Sequence, residues 1–376
     1  MLYCKYKVKL EFLFGVKKME IRHCDDNRAE RQKLFVETAD GRFRYQIFMD
    51  YAKNLPAEYQ YAPIQGNVSG GCCDKDDNLY FGLRGGGHMT AFPLTTLIKL
   101  DPEGNYLGTF GKGMLGHLHF FHCTDHDTIV ILQTNSDYAI EMSLDNEEIV
   151  RTFGEKDKPS DTGHDVDRAY NYNRIHYGMF STEPSSPMGV EYALLMDFLP
   201  SKMGGPFNKP TDVAFDSKGN YYFSDGYKNV AVHKFDANGN YVKSWGGKGV
   251  YDPYTDTPGK FVLPHSICAD QNDNIWVCDR EKDALHIFDS DGNLLAYYSN
   301  NMGQPSGVCT DGEYVYVVGR GGYLTIFDLD FNIVGELGVF NGNLRGHHIT
   351  ADSKGNLYIF PTGANKEHQI IALKRI

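Results

Sequence analysis

The sequence predicts an all-β fold, a six-bladed β-propeller whose ring is closed by a strand from the N-terminal side. Three observations predict it. First, KPTDVAFDSKGNYYFSDGYKNVAVHKFDANGNYVKSWG, beginning at Lys209, and LPHSICADQNDNIWVCDREKDALHIFDSDGNLLAYY, beginning at Leu263, are two copies of one module. Each reads as four short strands rich in β-branched and aromatic residues, separated by Gly/Asn/Asp turns. Second, the module recurs at an even step: Pro264 to Pro305 and Pro305 to Gly346 both span 41 residues. Third, the last copy stops after QIIALKRI, one strand short, while RFRYQIFMD (Arg42 to Asp50) alternates polar and apolar side chains like a half-buried strand. An unclosed ring leaves an open sheet edge, so Arg42 to Asp50 is expected to supply the outer strand of blade six.

Taken in order, residues 1–34 are charged and weakly patterned and form an N-terminal extension, with Met19 as an alternative start to Met1. Residues 35–376 form the propeller. Blade one covers Val68 to Phe110, blade two Leu118 to Phe153, blade three Pro210 to Trp245, blade four Pro264 to Tyr298, blade five Pro305 to Leu337, and blade six Gly346 to the C-terminus. The interval from Leu118 to Pro210 is 92 residues, which holds a blade plus an insertion, residues 155–207, rich in Asp, Tyr, Pro, Gly and Met. A segment of that length in a compact repeat fold reads either as a functional lid or as a surface excursion.

Composition narrows the function. With 376 residues and 41% hydrophobic content the chain can bury a large core as one domain. A net charge of -12 argues against nucleic acid and anionic membrane as partners, since both need clustered Lys/Arg. The eight cysteines show no CxxC pair, and five of them fall in predicted strands. Reduced thiols and a cytoplasmic location are therefore expected. The N-terminal apolar run, Phe12 to Val16, is too short for a signal peptide, and no segment approaches the roughly eighteen apolar residues of a spanning helix.

The chemistry appears when the innermost strands are aligned. One equivalent position holds Ser69, His119, Thr211, His265, Ser306 and His347: histidine in blades two, four and six, a hydroxyl residue in the others. Inner strands line the central tunnel, and alternate blades of a sixfold ring stand about 120° apart. A lone tunnel histidine reads as filler. Three at one repeat position converge on a point and make a three-histidine metal site with an open face, most naturally for zinc, although three imidazoles also accept iron, cobalt or manganese. His117, His122, His126 and His348 lack that register, and His348 is expected to point away from the triad. Where the second strand of a blade ends, Arg84, Tyr227, Arg280 and Arg320 follow at nearly equal steps. Such a rim either glues blades together or clamps a carboxylate in bidentate fashion, with a tyrosine beside the cation as base.

These residues resemble the peptidyl-α-hydroxyglycine α-amidating lyases, six-bladed propellers of NHL-type repeats. The matching runs are Val68-Ser69-Gly70 with Arg84, Pro210 to Val213, Ser224 to Asn229, Lys243 to Gly246, Leu263 to Ser266 and Asp279 to Glu281. The resemblance implies zinc on His119, His265 and His347, Tyr227 as catalytic base, and Arg84 and Arg280 as substrate and transition-state contacts. It also implies cleavage of an N-acyl α-hydroxyglycine to an amide and glyoxylate. The chain departs from the pattern at His348, where the family has a calcium-binding aspartate, which speaks against a calcium ion. Lys228 stands where a cysteine follows the tyrosine, and the segment 155–207 is unmatched. The partner expected is a small molecule with a carboxylate, bound by Arg84, Arg280 and Arg320. The alternatives are a metal-dependent hydrolase or hydratase of another small hydroxy acid, and a non-catalytic NHL propeller that binds a protein partner.

Overall fold

The computed structural model describes residues 35–49, 51–59, 67–84, 95–163, 200–251, 254–338, 344–361 and 370–376, with the side chains of Asn67 and Arg84 outside that set. Six antiparallel sheets stand around one axis. Their innermost strands are Asn67–Cys73, Phe121–Cys123, Pro210–Phe215, Pro264–Ala269, Pro305–Thr310 and His348–Ala351. Five sheets follow chain order outward through four strands.

The sixth is completed from the other end of the chain, as the missing strand required. Arg44–Phe48 pairs with Ile371–Arg375, setting Tyr45 opposite Arg375 and Phe48 opposite Ala372. A fifth strand, Phe35–Glu37, adds to the outside of this sheet and was not anticipated. Three residues are too few to show a period.

Turn chemistry punctuates the blades. Asp236 Oδ1 accepts the backbone N–H groups of Asn238 and Asn240 at 2.9 and 2.8 Å, and Asn240 Nδ2 donates to Asp236 Oδ2 at 3.0 Å. Asp289 and Asn293 repeat the arrangement, which explains the recurring Asp and Gly-Asn spacing. Between blades the sheets pack face to face. Tyr222, Val232 and Trp245 of blade three meet Ile267, Val277 and Phe288 of blade four. Full burial of each such side chain is worth about 1.5–3 kcal/mol. Among the described residues no helix is long and apolar enough to cross a membrane.

The feature that positions the tunnel residues is a register slip on the inner strands. It lies between Pro210 and Asp212, between Pro264 and Ser266, between Pro305 and Gly307, and between Val68 and Gly71. Thr211, His265, Ser306 and Ser69 sit at these bulges, which turn a side chain out of the pleat and onto the axis. The two ends of the segment 155–207 close on each other: Ser160 N–H donates to Phe207 O at 2.8 Å and Ser201 N–H to Thr162 O at 3.0 Å. Phe207 is buried against Phe153, Phe223 and Phe235. Residues 164–199, which carry the lid expectation, lie outside the described residues.

Candidate metal centre

His119, His265 and His347 meet on the axis, each at most 2% exposed. Their ring centroids are 5.1, 5.1 and 4.9 Å apart, and their candidate ligand atoms all lie within 4.8 Å of one another. Each ring is held from behind by the next blade. His119 Nδ1 lies 2.6 Å from Thr211 O, His265 Nδ1 2.7 Å from Ser306 O, and His347 Nδ1 2.9 Å from Ser69 O. A carbonyl only accepts, so each Nδ1 carries a proton, and in the neutral ring each Nε2 turns a lone pair to the axis. The alternation of histidine and hydroxyl residue thus has a cause beyond size: the hydroxyl-bearing blades supply the carbonyls that set the tautomer. Burial holds His265 well below the usual imidazole range, and Arg280 and the other two imidazoles push the same way. Three neutral, oriented imidazoles fit a divalent ion of the zinc type.

Phe120 closes one side of the triad. Its ring centroid is 4.0 Å from that of His119, 5.2 Å from His265 and 4.9 Å from His347, with the side chain fully buried. On the rim, Tyr227 Oη lies 2.9 Å from His119 Nε2 and 3.2 Å from His265 Nε2. Tyr227 reaches inward because the loop after Tyr221–Asp225 passes close to blade four. A Cβ on Gly226 would sit 2.1 Å from Pro264 O, so only glycine fits that approach.

Arg280 begins the turn after Ile275–Asp279 and is fully buried, its guanidinium carbon 5.8 Å from the centroid of the Tyr227 ring. Its Nε donates to Glu281 Oε1 at 2.8 Å, and Arg320 Nη1 lies 3.5 Å from the same oxygen. Tyr227, Arg280 and Arg320 are therefore linked at one end of the triad. The backbone of Arg84 ends the strand Leu79–Arg84 opposite Asn67; its side chain lies outside the described residues.

Several participants were not picked out from the sequence. Glu281 looked like part of an Asp-Arg-Glu run, and Phe120 like an ordinary apolar strand residue. On the far side of Phe120, a second group gathers around Asp212. His122 Nε2 is 2.9 Å from Asp212 Oδ1, and His348 Nε2 is 3.9 Å from Asp212 Oδ2. His348 stays out of the triad, as expected, yet reaches the axis one layer away. Lys228 is buried, and that burial, with Lys209 nearby, pushes its ammonium down to about 8.

An NHL-repeat family model matches residues 261–288, which covers the inner three strands of blade four. No curated protein matches the chain. Among solved structures it is similar to one described as a streptogramin B lyase structure, with a TM-score of 0.52 and 11% identity, covering 88% of this chain and 98% of that one. It is also similar to a catalytically inactive histidine-to-alanine variant of virginiamycin B lyase from Staphylococcus aureus with quinupristin, with a TM-score of 0.51 and 9% identity over 88% and 98% of the two chains. At those identities the likeness speaks for architecture alone. The chain is an all-β, six-bladed β-propeller that carries an NHL repeat.

Proposed function

We propose that the protein is a zinc-dependent lyase that splits the C–N bond of an N-acyl α-hydroxyglycine, or a similar small carbinolamine, into an amide and glyoxylate. The observation that carries this reading is the set of three carbonyl-oriented imidazoles with a tyrosine hydroxyl 2.9 and 3.2 Å from two of their nitrogens. His119, His265 and His347 would hold the ion, which supplies Lewis-acid polarisation of the substrate's oxygens.

The chain's own groups do the rest. With the ion in place Tyr227 would act as its phenolate, having given up its own proton to solvent; it takes the proton of the substrate hydroxyl, and the electrons of that O–H bond become the second bond of the aldehyde carbonyl. The C–N pair leaves with nitrogen, which takes a proton back from Tyr227 to give the amide. Arg280, fixed by Glu281 and lying against the tyrosine, faces the carboxylate, with Arg84 and Arg320 as further substrate contacts. Phe120 keeps water from approaching beneath, which favours elimination over hydrolysis. The motif resemblance supports the substrate class, and the occurrence of lyases on this architecture, by the names of the structural neighbours, agrees with the reaction class.

Incubating zinc-loaded protein with hippuric-acid-type α-hydroxyglycines should release glyoxylate and amide in equal amounts, with no oxygen from labelled water in the amide; the aldehyde oxygen of glyoxylate exchanges with water by itself and is not the readout. Label in the acyl fragment, released as a carboxylic acid in place of the amide, would instead indicate a hydrolase. No turnover together with no bound metal would leave a ligand-binding propeller.

A further inference from the structure

We infer that Asp212 is a positioning residue for the metal centre: a single carboxylate beneath Phe120 that ties together the innermost strands of the three histidine-bearing blades. The inference rests on reading His119, His265 and His347 as ligands.

Asp212 is fully buried. Its Oδ1 takes His122 Nε2 at 2.9 Å and the Val213 N–H at 2.9 Å; its Oδ2 accepts from Ser266 Oγ at 2.7 Å and the Ile267 N–H at 3.0 Å. His348 Nε2 stands 3.9 Å from Oδ2, an electrostatic contact rather than a hydrogen bond. Each side-chain partner is a near neighbour of a triad histidine. Ser266 follows His265, His348 follows His347, and His122 lies three residues beyond His119. From blade three, one side chain therefore reaches blades two, four and six. The remaining blades join through its partners: Val308 N–H donates to Ser266 Oγ at 3.1 Å, and Gly71 N–H to His348 Nδ1 at 3.3 Å.

The packing leaves this layer little freedom. A Cβ on Gly70 would lie 2.8 Å from Phe120 Cδ1 and 3.0 Å from His348 Cγ, and one on Gly307 would lie 2.8 Å from His348 Cα. A shift of the carboxylate would pass directly to the residues beside the ligands.

The same cluster of two histidines and an aspartate has the composition of a second metal site, but its hydrogen bonding is wrong for one. Gly71 donates to His348 Nδ1, so the neutral ring keeps its proton on Nε2, the atom that faces Asp212 and has no hydrogen-bond partner among the described residues. The triad shows the reverse, a carbonyl at every Nδ1. The lower layer positions, and the upper layer binds.

Groups bonded directly to a metal-binding histidine typically contribute about 10–100-fold to affinity, and Asp212 acts one residue further out, which places its effect at the low end, about 10-fold. The test is titration of the metal-free full chain with Co²⁺, reading the visible d–d bands. The unaltered protein should take up one ion, and Asp212→Asn should bind it about 10-fold more weakly with altered bands. Ser266→Ala should move both readouts the same way by less. Asp270→Asn, which disturbs the turn bonds to Asn274 and Trp276, is the control for general loss of stability and should leave affinity and bands unchanged. Wild-type affinity and bands in folded Asp212→Asn would overturn the inference, as would an equal loss in Asp270→Asn. If Asp212→Asn does not fold, Ser266→Ala decides alone. An unaltered protein that takes up no cobalt overturns the metal reading itself, and the positioning role with it.

Discussion

The two layers of the tunnel both present imidazoles, but only the lower holds a carboxylate, Asp212, and the backbone group behind His348 differs from those behind the triad. Above Phe120, three imidazoles each back onto a carbonyl oxygen. Below it, His348 backs onto an N–H. The first contact leaves a lone pair on Nε2 and the second a proton, so one layer offers ligand atoms and the other a donor directed at a carboxylate. Counting histidines around an axis does not by itself separate the two candidate sites; the polarity of the backbone atom behind a ring tells which of its nitrogens carries the proton.

The sharpest way to break this comparison is to delete one ring from each layer. His265→Ala should lose stoichiometric metal and all turnover, whereas His122→Ala should keep one ion per chain at saturating metal. Elemental analysis after gel filtration reads both; equal losses would mean that the layers are not distinct.

Next in size is the chemistry. Tyr227→Phe should keep the ion and lower kcat about 10²–10⁴-fold, the usual contribution of a positioned acid–base group. A kcat near that of the unaltered protein would move the proton transfer elsewhere. Arg280→Lys should act mainly on KM, by about 10–100-fold, because a lysine cannot present the fork that meets a carboxylate and Glu281 together.

The smallest effect is on stability of the metal-free protein. Burial pushes His348 down to about 3 and holds His265 well below its ordinary value, while both return to about 6.5 in the unfolded chain. Below about 6.5 the unfolded state takes up protons first, so the fold loses stability as pH falls toward about 3. The melting temperature should drop between pH values of about 6.5 and 4, and His348→Gln should show a shallower drop. An unchanged slope in that variant would mean that His348 is already accessible to protons in the fold.

The fold was readable from turn spacing and from one absent strand, because repeats print their period on the sequence. The triad was readable for the same reason: equivalent positions in alternate blades have only one place to meet. What was hidden depended on atoms that no side-chain pattern encodes. The bulges at Thr211, His265 and Ser306 break the two-residue alternation without marking it. The carbonyls behind the rings belong to Ser69, Thr211 and Ser306, residues that looked interesting only for their hydroxyls. Asp212 lay within a Pro-Thr-Asp-Val run and gave no sign that it would collect partners from blades two, four and six. Glu281, next to Arg280, was visible only as a charge.

X-ray absorption at the zinc edge tests the central claim most directly. The account predicts about three imidazole nitrogens and one further light atom at about 2.0–2.1 Å from a single ion, and no stoichiometric zinc absorption from His265→Ala. Sulfur at about 2.3 Å, or a first shell unchanged in His265→Ala, would contradict it.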